Sequence, residues 1–556
     1  MGKIIAARQD GLCSRLGSIL NAMYLAKKTQ KDFYYFWPDS EEQMKKWEEI
    51  KTQNNFRSLE CDNEKNIFSK DFIESFSMGT SFQNPGMPYG LKQHHSVFKT
   101  TLEELIVKDG DIYISHIPCF NYINGIDKKD YYENMKNLWQ QIDFHPRIKN
   151  IINKARKIAK QLGNFTAIHI RIADVALNEL YKNTGFFVYK FSPLELVFEI
   201  IRQKTKDNKI VLFSDDLDGA KVLQRYCFAK KIENIFVVDE FIDNDIQDEN
   251  DRAFFEIALM GFAEKVYTGD SNFSKFASRV GLGEEATYIS QVFSNQQRYD
   301  LIIHNSDNNL ILKPLQEAYK YLYLYTRGRL IKKPWSELEN IAFKALGLDP
   351  ANSLYKICIL ECFLRQKHYE KAEAFLADIF RNDFVNFIKD LLNPMMIFKD
   401  SFFEILSQVH VKYDKLHLLY LFTLKNDKKL LGAPSRIKNH LAYRLGQIAV
   451  TNSKTIGGYF RLPFNLIKEY KQYNQEQKNY QMIIKLNPTL ALPKLQDYND
   501  YQEAVKIKKY FSYRLGEAII QANNTWYGGG YIKLWFKIKR LRKEIGKGCK
   551  DALKGK

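Results

Sequence analysis

Polar and apolar positions fall into two regimes along this chain. Through about residue 300, short apolar runs alternate with amphipathic stretches. Beyond about residue 308 the period is helical. Residues 3–8 predict a strand. Asp10-Gly11-Leu12-Cys13-Ser14-Arg15-Leu16-Gly17 follows as a glycine turn, then a helical pattern over 18–28 and an aromatic strand over 33–37. Strand, glycine turn, helix and strand open a βαβ unit. Residues 38–110 are irregular, with Asn, Gly, Ser and Pro gathered at 83–89, and predict insertions on an acceptor-binding face.

Alternation is cleaner from 161 to 300. Strands are expected at 165–172, 209–214, 235–238 and 265–268, and helices at 194–204, 219–227, 252–261 and 274–280. Such alternation predicts a parallel sheet covered by helices on both faces. The expected fold class is α/β. Two facing Rossmann-like domains, 1–160 and 161–305, precede an α-helical domain, 306–430, and a basic helical tail, 431–556.

Leu348-Asp349-Pro350-Ala351-Asn352, followed by Tyr355, Tyr369, Ala372 and Phe375, looks like one tetratricopeptide-type unit. Cys358 and Cys362 lie one helical turn apart there and are expected to be small core residues. The tail carries an internal repeat. Tyr443-Arg444-Leu445-Gly446-Gln447 returns as Tyr513-Arg514-Leu515-Gly516-Glu517, and Gly457-Gly458-Tyr459 as Gly529-Gly530-Tyr531. A basic amphipathic stretch follows each copy. In the second, Tyr531, Leu534, Trp535, Ile538, Leu541 and Ile545 recur at helical spacing among Lys and Arg.

Charge sharpens the division. The net charge is +18, yet residues 431–556 hold 24 basic and 8 acidic side chains, so the first 430 residues are near neutral. A basic appendage expects an anionic partner. The apolar stripes with flanking cations, over 459–471 and 531–545, point to an anionic membrane surface rather than nucleic acid. Packing of these helices on the protein's own body is the alternative. Seven sparse cysteines without a CxxC pair suggest a reducing compartment and no structural zinc. No secretory leader is read at the N-terminus, and the longest apolar stretch, about 416–424, is too short to span a bilayer. The expected location is cytoplasmic, peripheral on the inner face of a membrane.

Candidate chemistry gathers at predicted strand ends. His169-Ile170-Arg171-Ile172-Ala173-Asp174 closes one strand. A guanidinium there suits a diphosphate, which its planar fork grips bidentately. It would stabilise the charge left when a sugar–phosphate bond breaks. A structural Arg171–Asp174 pair is the competing reading. A second strand ends in Ser214-Asp215-Asp216. Gly269-Asp270-Ser271-Asn272-Phe273-Ser274 follows a third and opens a helix, where free amides and hydroxyls favour an anion; helix capping by Ser271 and Ser274 is the alternative.

In this order, these elements resemble the GT-B fucosyltransferase superfamily, which includes α-1,6-fucosyltransferases, nodulation fucosyltransferases and protein O-fucosyltransferases. The matching segments are Gly11–Leu16, with Cys13-Ser14 where Gly-Asn is common, His169–Asp174, Phe213–Asp216 and Ser271–Ser274. The tail is also similar to extensions on bacterial lipooligosaccharide and capsule transferases. The resemblance implies an inverting, metal-independent transfer of a fucose-like sugar from a GDP-sugar, which is a substrate and not a cofactor, to a glycan or glycolipid acceptor. It implies donor-binding roles for His169, Arg171, Asp174, Asp215, Asp216, Ser271, Asn272, Ser274, Gly11 and Arg15. Arg171 would meet the β-phosphate, and His169 with Asp215 or Asp216 the guanine. Glu179, ten residues beyond the histidine, would be the general base. Many members carry a second arginine where this chain has Ile172.

Two other functions compete. Asp216-Leu217-Asp218 could hold a divalent cation in a GT-A-type transferase. A degenerate, non-catalytic scaffold would explain the missing second arginine. Gly281-Leu282-Gly283-Glu284-Glu285-Ala286 follows a helix rather than a strand, which excludes a dehydrogenase fingerprint.

Overall fold

The computed structural model describes residues 2–8, 11–38, 61–79, 100–204, 208–243, 245–246, 248–305, 310, 312–409, 413–423, 433–486, 491–498 and 500–554. Asp10, most of the 38–110 insertions and the Gln83–Tyr89 cluster lie outside these residues. The chain forms two compact units, residues 1–333 with 344–350, and 334–343 with 351–556.

Among the described residues the first unit is α/β, with two larger parallel sheets and a short parallel pair, Thr100–Thr101 with Ile123–Asn124. Its first lobe holds β1 (Ile4–Ala7), α1 (Leu12–Thr29), β2 (Phe33–Phe36) and β3 (Ile112–Ile114). The strand order is β2-β1-β3, all parallel. The four residues of β1 are buried on both faces, as a central parallel strand requires. Helix α1 starts directly after Gly11, six residues before the apolar period predicts. Polar residues on its buried face hide the period. Ser18 donates to the Ile114 carbonyl, and Asn21 to the carbonyls of Ser115 (2.6 Å) and Ile117 (2.8 Å). Helices α2 (Lys128–Gln141) and α3 (Pro146–Leu162) complete the lobe.

The second sheet holds β4 (Phe165–Ile170), β5 (Lys209–Ser214), β6 (Ile235–Val237), β7 (Lys265–Thr268) and β8 (Thr287–Tyr288). Helices α4 (Leu194–Lys204), α5 (Leu217–Ala229), α6 (Glu249–Met260) and α7 (Asn272–Gly281) connect them, and α8 (Pro314–Leu330) follows. The order is β8-β7-β4-β5-β6, all parallel. The chain starts at the central β4, steps out through β5 and β6, then crosses to β7 and β8 on the other side. The topological switch point therefore lies between β4 and β7, where doubly wound sheets open a crevice beyond their carboxyl ends.

The two lobes share one core. Phe144 meets Phe254 edge-on at 5.5 Å, and Trp139 meets Phe276 at 5.5 Å. Arg147, in the first turn of α3, pairs with Asp248 and Asp251 around the start of α6.

The second unit is helical. Helices α9 (Ser353–Arg365) and α10 (Tyr369–Asn382) pack side by side, with Cys358 and Cys362 buried on α9. Further along are α11 (Leu441–Asn452), α12 (Ile456–Leu486), α13 (Phe511–Asn524) and α14 (Gly530–Lys554). Among the described residues, no helix is long and apolar enough to cross a membrane.

Candidate functional site

Strand β4 ends at Ile170, so Arg171–Asp174 forms the turn beyond it. Arg171 Nε donates to Asp174 Oδ1 at 2.8 Å and its Nη2 to Oδ2, a bidentate pair. The backbone of Arg171 is gripped as well. Its N–H donates to Ser192 Oγ (3.2 Å), and its carbonyl accepts from Ser192 N–H (3.0 Å). The guanidinium is thus pinned at both ends beside the switch point.

Asp215 makes this turn possible. Its carboxylate accepts the N–H groups of Ile172, Ala173 and Asp174 at 2.9–3.0 Å. It anchors the Arg171 turn with its oxygens rather than presenting them to a base. Burial and the adjacent Asp174 carboxylate push Asp215 up to about 7. Burial also opposes the charge on Asp174, but Arg171 outweighs it and holds that carboxyl below its usual range.

Asp216, the next residue, turns elsewhere. It caps α5 through Asp218 N–H and accepts from Gln316 Nε2 on α8 at 2.6 Å. Lys313 Nζ stands 3.6 Å from Asp216 and 3.7 Å from Asp218. The Asp-x-Asp pair that suggests a cation site thus brackets a lysine ammonium.

His169 is buried, and its ring packs 5.6 Å from Phe273. Burial and the Arg171 charge lower it to about 3, so the imidazole is neutral. Its Nδ1 makes no hydrogen bond.

The β7–α7 turn closes the other side. Asp270 has a left-handed backbone, φ 77°. Gly269 is required by close approach: a Cβ there would fall 2.4 Å from Ser192 Oγ and 2.8 Å from the Lys190 carbonyl. The Ser271 backbone and the Ser274 hydroxyl both close on Thr268 inside the turn. Ser271 N–H donates to Thr268 Oγ1, and Ser274 Oγ donates to Thr268 Oγ1 at 2.7 Å. Ser271 sits at the helix N-cap without a side-chain capping bond. Asn272 Nδ2 lies 3.3 Å from His116 Nε2 of the first lobe.

Two cations here are absent from the sequence-derived set. Lys190 is only 9% exposed and stands 4.0 Å above the Phe187 ring, which Arg171 also faces at 6.0 Å. Burial, then the charges of Arg171 and Lys275, lowers its ammonium to about 7. Lys275 pairs with Asp270 at 2.6 Å. Ile172, where a second arginine is expected, packs inward against α5, its Cδ1 2.5 Å from where a Cβ on Gly219 would sit. The second positive charge beside Arg171 comes from Lys190 instead. Its one sequence signal is a charge inside the aromatic run Phe186-Phe187-Val188-Tyr189-Lys190-Phe191.

A cleft of about 340 Å³ lies between the lobes next to this cluster. His116, Phe120 and Lys128 line it from one lobe; Asn272, Lys275 and Arg279 from the other. Its wall is braced by Glu285, which accepts from Arg279 (2.8 and 2.9 Å), Tyr132 (2.8 Å) and Tyr288 (2.6 Å).

Three expected site residues stand apart from these contacts. Glu179 is 76% exposed, and its carboxylate pairs with Lys182 at 3.1 Å. Arg15 is buried against the Trp37 ring and donates to the Pro38 carbonyl at 2.6 Å. Gly11 sits exposed at the start of α1. Among the described residues, no group of three or more His, Cys, Asp or Glu side chains is arranged to hold a metal ion.

Residues 363–547 match the model of a family described as a domain of unknown function, DUF8374. No curated protein sequence matches the chain. Among solved structures, the fucosyltransferase NodZ from Bradyrhizobium is similar at 13% identity and a TM-score of 0.30, over 50% of this chain and 93% of that one. NodZ α-1,6-fucosyltransferase soaked with GDP-fucose matches with the same values.

Proposed function

We propose that the first unit is a glycosyltransferase of GT-B layout. It would move a fucose-like sugar from a GDP-sugar to a glycan acceptor, with inversion and without a metal. The supporting observation is the convergence of Arg171, Lys190 and Lys275 at the switch point between β4 and β7. Mutually repelling, partly desolvated cations at that place suit an anion such as a diphosphate.

In the reaction, the acceptor hydroxyl oxygen bonds to the anomeric carbon. The bond from that carbon to the diphosphate oxygen breaks, and its electron pair leaves with the diphosphate. Arg171 and Lys190 stabilise this growing charge as fixed donors. Neutral His169, whose buried Nδ1 makes no hydrogen bond, would contact the guanine. The hydroxyl proton goes to a base, for which Glu179 is the candidate once an acceptor covers it. Glu179→Gln is expected to leave GDP binding unchanged and to lower transfer ~100-fold. Unchanged transfer removes Glu179 from the mechanism.

The deciding experiment offers GDP, UDP and CMP to the folded chain with and without Mg²⁺, reading the melting temperature. Stabilisation by GDP alone, independent of metal, supports the donor site. UDP stabilisation that requires metal favours the Asp-x-Asp alternative, and no response favours a scaffold.

Lys190 adds a pH dependence. In the free protein its ammonium titrates at about 7. A diphosphate beside it would hold the proton to higher pH. Binding then takes up a proton between about 7 and the ordinary lysine range. Affinity should be flat below about 7 and fall above it by up to ~10-fold per pH unit. Titration calorimetry in buffers of different ionisation enthalpy measures the uptake, and Lys190→Met should reduce it to the share taken by Asp215, which is also pushed up to about 7.

A further inference from the structure

The tail repeat builds two helical hairpins with a shared design. Helix α11 turns into α12, and α13 into α14. Each turn is closed by a glycine set against the preceding helix: Gly458 on the Asn452 carbonyl and Gly530 on the Ala522 carbonyl. The hairpins join through α11 and α13. A Cβ on Gly446 would fall 1.6 Å from the Ser512 carbonyl oxygen, and one on Gly516 would fall 1.6 Å from that of Ala442. Positions 442 and 512 are equivalent in the repeat, as are 446 and 516. Such reciprocal contact is that of a two-fold axis, here inside one chain. The motif arginines then tie down the second helix of each hairpin: Arg444 binds Glu469 and Glu476, and Arg514 binds Glu544.

The inner faces are thereby occupied. Leu462 and Leu466 of α12, and Leu534 and Ile538 of α14, are half-buried, and Leu541 is buried. The stripe predicted over 531–545 therefore splits. Its Leu and Ile members at 534, 538 and 541 are the more covered, while Tyr531 and Trp535 stay outside, joined by Ile532 and Phe536. On the outer faces Phe460 is 78% exposed, Phe464 74%, Trp535 54% and Phe536 60%. Exposed cations flank them, including Arg461, Lys468, Lys533 and Arg540. Lys539 Nζ rests 3.6 Å above the Trp535 ring.

We propose that the paired hairpins dock this protein on an anionic lipid bilayer surface. The aromatic rings would enter the headgroup boundary while Lys and Arg meet lipid phosphates. Charge selects the occupant: 24 basic against 8 acidic residues over 431–556 complement anionic headgroups. A second copy of the same face would set like charge against like charge. The repeat gives each hairpin its own exposed aromatic rings with cations beside them, Phe460 and Phe464 on one and Trp535 and Phe536 on the other. This inference stands on the second unit alone and does not need the proposed transferase activity.

The test uses the full chain in flotation with phosphatidylcholine vesicles, with and without phosphatidylglycerol, at physiological and high salt. Binding is expected to the anionic vesicles, weakened by salt. Phe460→Ser with Phe464→Ser, or Trp535→Ser with Phe536→Ser, should each lower affinity ~100-fold, and the four together should abolish binding. These side chains are exposed, so the melting temperature should hold; Lys533→Glu with Arg540→Glu, which spares every apolar contact, should weaken binding as well. Undiminished binding by the fourfold variant overturns the proposal. So does failure of the wild type to float, a dimer in solution that the aromatic variants dissolve, or binding to a single-stranded oligonucleotide in place of vesicles.

Discussion

Arg171→Ala is expected to eliminate stabilisation by GDP and to reduce sugar transfer by ~1,000-fold. The Arg171 fork is oriented by two bonds to Asp174, and its backbone is held by two bonds with Ser192. Arg171→Lys should not rescue it, because an ammonium has no planar fork to bridge Asp174 and an anion together. The truncation also strands Asp174 and leaves Asp215 beside a half-buried carboxylate that has lost its guanidinium. A stability loss of ~3 kcal/mol is expected from that alone. The two effects separate in the double variant Arg171→Met/Asp174→Asn. It removes the stranded charge, so its melting temperature should recover toward wild type while GDP still fails to bind. Thermal shift and calorimetry on the two variants give both readings. GDP binding that survives in the double variant would move the donor site away from this turn.

Gly446→Val and Gly516→Val are expected to break the tail repeat. Each would place a Cβ 1.6 Å from a carbonyl oxygen of the partner helix. Backbone cannot yield there as the end of a flexible side chain can, so the helices must separate. The expected cost is ~3 kcal/mol for each substitution. Amide exchange should accelerate throughout α11 and α13, with α14 following as Arg514 loses its register with Glu544. Gly457→Ala and Gly528→Ala are the controls, since nothing lies within 4 Å of a Cβ at either position. They should leave exchange unchanged. Equal protection in the valine variants would show that the hairpins are not joined by this contact.

These two cases differ in how far the sequence foretells them. The glycine contact is written in the repeat itself, because a motif that returns after 70 residues marks equivalent positions before any contact is known. Arg171 is legible as chemistry, yet its surroundings are not. Asp215 and Asp216 look interchangeable in sequence. Successive side chains at a strand end leave on opposite sides, so one meets the Arg171 turn and the other meets α8. Ser271 and Ser274 read as ligand contacts or caps; the Ser274 hydroxyl bonds Thr268, while Ser271 meets Thr268 through its backbone N–H. Lys190 could not be found by spacing. It reaches Arg171 only because the segment after β4 folds back and Ser192 bonds to the Arg171 backbone.

The alternation of apolar runs and amphipathic stretches determined that the first unit is α/β, because burial on both faces of a parallel strand requires those runs. The helical period and the skew of charge toward the last 126 residues determined a basic, helical region there, and the repeat determined its two-part design. Tertiary structure alone decided which carboxylates are spent on backbone, which lysine joins Arg171, and which half of each amphipathic helix faces out. Those outcomes depend on neighbours far apart in sequence, and a side chain's job is set by what stands within a few ångströms of it.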